Sequence, residues 1–239
     1  MHEPKLKRML VILAHPDDES FAAGGTLAKY ARQDVQVVLL CATRGEAGIA
    51  GMKPEEAGDI REGELRKAAQ ELGIEVQFLG CRDGELSRCR TEMLAESMAW
   101  WMDMIQPQVI LSFGPEGVSG HSDHVTVSNA VTEAYDRYYK KGMLLYIRPS
   151  IATVAGCGVS SAGTDDGKPA LKVDISDYKM EKVRAIRAHA SQNTALTGGP
   201  EEEAERMPCH EMFTLARRID SPEADPSWFE EAREGGEKA

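Results

Sequence analysis

Two short stretches of this chain concentrate side chains that bind metals and move protons. His15, Asp17, Asp18 and Glu19 fall together in AHPDDE, and His121, Asp123 and His124 in GHSDH. A catalytic zinc site takes about three protein ligands of the nitrogen and oxygen type and leaves a fourth position for water. His15, Asp18 and His124 supply such a set. Zinc held by them lowers the pKa of its water to ~7 and polarises a carbonyl oxygen, which is the chemistry of amide hydrolysis. Asp17, beside the ligand Asp18, is then left to take a proton from the water and pass it to a leaving amine. His121, three residues before His124 and on the same side of a helical turn, is placed to stabilise an oxyanion as imidazolium. Asp123 is placed to orient one of the histidines.

Other uses of the same residues give competing expectations. Asp17 or Asp18 would serve equally well as a plain helix N-cap. Two histidines and a carboxylate also describe the facial triad of non-haem iron oxygenases, so Fe2+ with dioxygen is the alternative metal chemistry. A non-catalytic metal- or sugar-binding protein built on the pocket would have lost Asp17 or His121, and both are present.

Both clusters need elements that aim them at one point. The uncharged run Met9 to Ala14 suits a strand buried on both faces, and Pro16 ends it because proline cannot donate to a ladder. Helix is expected from Glu19 to Gln33, strand from Val35 to Ala42, and helix from about Ile60 to Leu72 with Gly73 as C-cap. The Gly- and charge-rich residues 49–59 read as loop. Further strands are expected at 76–79, 109–113, 143–147, 171–175 and 212–216. Apolar spacing places helices at Thr91–Ile105 and from Val125 to Tyr139, and Ser176 or Asp177 caps another that runs to about Ala190. Residues 155–169 read as a surface loop or open hairpin and 197–208 as a linker.

Strand and helix alternate through the first 140 residues, the pattern of a parallel sheet with right-handed crossovers. HPDDE, TRGEAG, RDGE and GHSDH each follow one of the first four strands, on the sheet rim where such folds bind ligands. No GxGxxG follows the first strand, so a dinucleotide fingerprint is absent.

Composition narrows the partners. The 239 residues carry a net charge of −11 and no basic block, which disfavours nucleic acid and anionic membranes. No uncharged stretch is long enough for a membrane-spanning helix, and KLKRMLVILA is too short in its apolar part for a targeting segment. Five scattered cysteines without a CxxC pair point to reduced thiols and a cytoplasmic location. One α/β domain is expected over residues 1–219, followed by an acidic tail, 220–239, that is partly disordered or a peripheral cover.

The motifs together resemble the PIG-L, or LmbE-like, zinc-dependent de-N-acetylases. AHPDDE follows the first strand, GGTLA lies in the next helix, T-x-GE-x-G follows strand two and R-x-x-E lies in the second helix. DG follows strand three, an H-x-D-H cluster strand four, and HASQ stands at 189–192. Ser122 departs from the proline usual in that family but falls between the ligating positions.

The resemblance implies a Rossmann-like, mostly parallel sheet with helices on both faces. It implies hydrolysis of the N-acetyl group of an N-acetylglucosamine-type sugar or glucosamine conjugate. It carries zinc onto His15, Asp18 and His124, the base onto Asp17 and the oxyanion contact onto His121. Arg61 and Arg44 would contact a small amino-sugar substrate, Arg61 through sugar hydroxyls or an anion. Homo-oligomers occur among such proteins. His189 reads as a helix-end histidine satisfied by its neighbours.

Overall fold

The computed structural model describes residues 6–148, 170–192, 196–222, 224–229 and 232–233. The expected loop at 155–169 lies outside the described residues. β1 (Lys7–Leu13) is the expected first strand, and Met9 through Ala14 are fully buried. β2 (Val35–Thr43), β3 (Glu75–Cys81), β4 (Val109–Phe113) and β5 (Gly142–Arg148) follow it in chain order. β1 pairs in parallel with β2 and β4, β2 with β3, and β4 with β5. β6 (Ala170–Asp174) and β7 (His210–Ile219) complete the far side, β7 running antiparallel to both β5 and β6. The two-residue β8 (Ala232–Arg233) pairs with β6. The sheet order is β3-β2-β1-β4-β5-β7-β6-β8.

This order reverses between β1 and β4. A crevice opens there at the carboxyl ends of the strands, because the following connections leave in opposite directions. AHPDDE leaves β1 and GHSDH follows β4, so both clusters meet at that crevice.

Helices cover both faces, as expected. α1 (Asp18–Ala31), α2 (Pro54–Leu72) and α5 (Lys179–Ala188) pack with one another, and α3 (Thr91–Ile105) packs with α4 (Ser122–Ala134). α2 begins six residues before the expected start, since Pro54 stands at its first turn with Glu55 and Glu56 behind it. Proline there loses no hydrogen bond, and carboxylates favour a helix N-terminus. The same signature starts α6 (Pro200–Arg206), which replaces the linker expected at 197–208. α4 starts within the GHSDH cluster, where the His121 side chain caps it by accepting from the Asp123 amide.

The C-terminal third is bound to the first helix by a buried ion pair. Lys182 Nζ lies 2.5 Å from Glu211 Oε1 and donates to Phe21 O, while Glu211 accepts from the Gly25 and Thr26 amides. Both charges are buried, so each is satisfied by the other and by backbone. Past Asp220, Phe229 is buried and stacks on Tyr30 at 4.9 Å. No helix among the described residues is long and apolar enough to cross a membrane.

Candidate metal centre

The turn after β1 is a strained piece of backbone held from two sides. Asp17 has φ 105° and ψ −31°, outside the regions an L residue prefers, at a cost on the order of 1–3 kcal/mol. Its side chain makes no helix-capping bond, so the plain capping role does not apply to it. Arg61 Nη2 donates to Pro16 O and to Asp17 Oδ2 (3.1 Å), and Arg61 Nη1 donates to Gly45 O (3.2 Å). From the other side the Glu19 carboxylate accepts the Asp17 amide at 3.1 Å.

This turn brings Asp18 and His15 against His124. His15 Nδ1 lies 3.2 Å from His124 Nε2 and 3.7 Å from Asp18 Oδ2, and His124 Nε2 lies 3.3 Å from Asp18 Oδ1. A tetrahedral cation with bonds of about 2.1 Å spaces its ligand atoms about 3.4 Å apart, so the two ring nitrogens and the Asp18 carboxylate, which meets each through a different oxygen, are spaced for a small divalent ion.

Hydrogen bonds on the far nitrogens fix the tautomers. His15 Nε2 faces Asp83 Oδ1 at 3.0 Å and Asp123 Oδ2 at 3.3 Å, carboxylates that can only accept. His124 Nδ1 donates to Gly117 O at 2.9 Å. With those protons placed, Nδ1 of His15 and Nε2 of His124 present lone pairs to each other and to a carboxylate, an arrangement that requires a cation. Without a metal a proton is the substitute. Burial opposes charge on His15, but the bonds to Asp123 and Asp83 and the charge of Asp18 outweigh it, and the pKa is pushed up to about 10.

Two carboxylates, Asp123 and Asp83, and the Phe113 ring hold the two histidines. Asp123 is fully buried, takes the Gly84 amide at 2.7 Å and holds His15, so the histidine it orients is a member of the trio. Its pKa falls, despite burial, through the His15 and Gly84 bonds, and that of Asp83 falls through His15. His15, Asp83 and Asp123 also lie close enough to hold an ion. That grouping needs Nε2 of His15, and a single neutral imidazole offers one lone pair, which the Nδ1 side already claims. Phe113 stacks on the His124 ring at 4.2 Å and fixes its plane.

Asp17 borders the trio, and His121 lies close enough to His15 and His124 for those three rings to form a second candidate group for an ion. Asp17 is part-exposed, and burial together with the neighbouring Asp18 charge pushes its pKa up to about 7, against the pull of Arg61 and His189. The ring of His121 stands 4.9 Å from that of His15 and 5.2 Å from that of His124. Its Nδ1 accepts the Asp123 amide, so Nε2 carries the proton. Burial and the two neighbouring histidines lower its pKa. This shift works against the imidazolium expected from the sequence, and the Asp123 bond leaves Nε2 free to donate.

Arg61 and Arg44 sit differently: Arg61 is held inside the protein, whereas Arg44 stands at the rim of a cavity. Arg61 is 4% exposed, and both its terminal nitrogens are committed to the protein. Its helix face decides this, since Arg61 points beneath the 45–48 loop, where a Cβ on Gly48 would sit 2.1 Å from Nη1. Arg44 is paired with Asp59 and Glu62 at the rim, where it lines a 370 Å³ cavity with Glu46, Arg82 and Asp83.

Asp83 and Glu19 carried no role in the sequence reading, and His189, expected at a helix end, closes α5. Asp83 stood in a DG that turn chemistry explained on its own, and Glu19 stood in the HPDDE motif without a role. His189 is fully buried, with Nε2 at 2.8 Å from Glu19 Oε1.

Comparison with known proteins supplies an independent line. The family model PIG-L, GlcNAc-PI de-N-acetylase, matches residues 10–135. A probable N-acetyl-alpha-D-glucosaminyl L-malate deacetylase 2 of Bacillus anthracis is 32% identical over 192 residues, covering 78% of this chain and 81% of the relative. A 1D-myo-inositol 2-acetamido-2-deoxy-alpha-D-glucopyranoside deacetylase of Saccharomonospora viridis is 30% identical over 257 residues, covering 87% and 95%. The solved structure of N,N'-diacetylchitobiose deacetylase from Pyrococcus horikoshii superposes with a TM-score of 0.67 at 21% identity over 87% of this chain and 83% of that one, which shows a shared fold.

Proposed function

Since the chain belongs to the PIG-L family of GlcNAc-PI de-N-acetylases, we propose that it is a zinc-dependent hydrolase that removes the acetyl group from an N-acetylglucosamine-type sugar or glucosamine conjugate. The products are acetate and a free amine. The observation that carries the reading is the trio of His15 Nδ1, His124 Nε2 and an Asp18 oxygen, converging with lone pairs inward beside Asp17.

His15, Asp18 and His124 would hold the zinc. When bound, it supplies an activated water and polarises the acetyl carbonyl. Asp17 takes the proton of the attacking water as the new C–O bond forms, then delivers it to the sugar nitrogen as the C–N bond breaks. Held by Arg61 and Glu19 on its two ends, the Asp17 turn keeps one carboxylate orientation through both transfers. His121 donates from Nε2 to the carbonyl oxygen as negative charge develops there, and a neutral ring does this without taking charge from the site. Asp83 and Asp123 keep His15 in the tautomer the metal needs. Arg61 acts through Asp17, and Arg44 borders the cavity beside Asp83, which would receive the rest of a conjugate.

A cytoplasmic setting belongs to the same reading and is supported by the free thiols of Cys41, Cys81, Cys89 and Cys209. The test is acetate release from a panel of N-acetylglucosamine conjugates, including malate and inositol glycosides, with metal content measured in parallel. Zinc-dependent and oxygen-independent release supports the proposal. Full activity after complete chelation, or a requirement for Fe2+ and dioxygen, overturns it.

A further inference from the structure

The segment after α5 reaches three separate parts of the centre through three residues, His189, Ser191 and Gln192. His189 Nε2 donates to Glu19 Oε1, in the turn after β1. Ser191 donates through its amide (2.7 Å) and its hydroxyl (2.6 Å) to the Glu64 carboxylate, one helical turn beyond Arg61 on α2. Gln192 Nε2 donates to Gly48 O at 3.0 Å, in the loop over Arg61. Each contact is made to a residue 127 or more positions away. The C-terminal third of the chain therefore clasps the turn, the helix and the loop that surround Asp17.

Within the clasp, one contact chain ends on the proton-transferring residue itself. Glu19 and His189 are both fully buried. Glu19 Oε1 receives His189 Nε2 and the Ser20 hydroxyl, and its Oε2 receives the Asp17 amide. His189 Nδ1 has no partner among the described residues, so its bond to Glu19 is the directed contact that holds the ring.

We propose that Glu19 and His189 form a positioning pair that holds the strained Asp17 backbone in its reactive orientation. This rests on the proposed role of Asp17. The acceptor on the Asp17 amide compensates a peptide unit at φ 105° that would otherwise relax toward an ordinary turn. Relaxation rotates the Asp17 carboxylate away from the trio. His189 keeps the Glu19 carboxylate turned toward that amide instead of toward another donor. The pair touches neither metal ligands through its side chains nor substrate, so its effect falls on turnover and leaves metal and substrate binding alone.

Four variants test this: Glu19→Ala, Glu19→Gln, His189→Gln and Asp17→Asn, with Glu19→Ala also combined with Asp17→Asn. Glu19→Ala should lower kcat by about 10²-fold, the scale of an ångström-sized misplacement, with KM and zinc content unchanged. Glu19→Gln keeps a carbonyl acceptor for the Asp17 amide and should recover most of that loss. His189→Gln should fall between them. In the Asp17→Asn background, Glu19→Ala should cost nothing further in kcat, because the pair acts only through the missing carboxylate. An equal additional loss there, a rise in KM at constant kcat, or loss of zinc overturns the pair. If Glu19→Ala does not fold, Glu19→Gln and His189→Gln carry the same kcat and KM comparison, and full wild-type turnover in His189→Gln overturns it. An Asp17→Asn protein with full activity would instead overturn the underlying assignment of Asp17.

Discussion

His15 Nδ1 and His124 Nε2 face each other across 3.2 Å, while the opposite nitrogen of each ring is already bound, by Asp83 and Asp123 on one side and by Gly117 O on the other. Two neutral imidazoles so placed repel unless a cation lies between them. His124→Ala should therefore abolish metal binding, whereas Cys41→Ser and Cys89→Ser should leave about one zinc per chain, as a three-ligand site holds. Elemental analysis of the purified variants reads this directly. Chelation should also lower the thermal midpoint, because the metal binds only the folded chain.

The adjacent carboxylates should separate cleanly. Asp18→Ala is expected to deplete zinc. Asp17→Asn should keep it and remain folded, with kcat reduced by ~10²- to 10⁴-fold. A metal-free Asp17→Asn beside a fully loaded Asp18→Ala would show the two roles reversed.

Arg61 was expected from the motif to act on binding, and its burial changes that expectation. Since its guanidinium holds Pro16 O and Asp17 Oδ2, Arg61→Ala should lower kcat more than it raises KM. It should also destabilise the fold by up to about 3 kcal/mol, the partial exposure of Asp17 keeping the loss at the low end for a broken buried pair. Urea titration and steady-state kinetics on one preparation separate the two effects. A change confined to KM would return Arg61 to the substrate.

Two glycines on helices should respond oppositely to the same substitution. A Cβ on Gly25 would lie 2.6 Å from Ile175, so Gly25→Ala should cost about 1–3 kcal/mol by overpacking. A Cβ on Gly63, within α2, meets nothing within 4 Å, and Gly63→Ala should stabilise by about 1 kcal/mol. Chemical denaturation midpoints decide both.

His189 should leave a signature in the pH dependence of stability. Burial opposes its charge, but Glu19 beside it prevails, and its pKa rises above 6.5. The folded chain then binds that proton more tightly than the unfolded chain. The stabilisation is complete below 6.5 and is lost as pH rises through the folded value. At constant metal content, the stability gap between the native protein and His189→Gln should shrink as pH is raised. A gap that widens would show that the ring is held neutral.

What the sequence by itself determined is what residue type and local order dictate. Imidazole and carboxylate donors at the end of a buried strand define a metal-ligand chemistry wherever the strand goes, and strand–helix alternation fixes the rim on which four polar turns collect. The helix starts at Pro54 and Pro200 run against the loop and linker expected there, although proline in the first turn followed by glutamates is a local start signal. Tertiary structure decided the destinations of side chains whose partners lie far along the chain. Asp83 and Asp123 reach the same nitrogen of His15, Arg61 turns beneath the Gly45–Gly48 loop, and His189 meets Glu19 across 170 positions. No local pattern encodes those contacts, because they arise only when separate helices pack on one sheet and burial forces each charged group to find the partner that packing brings within reach.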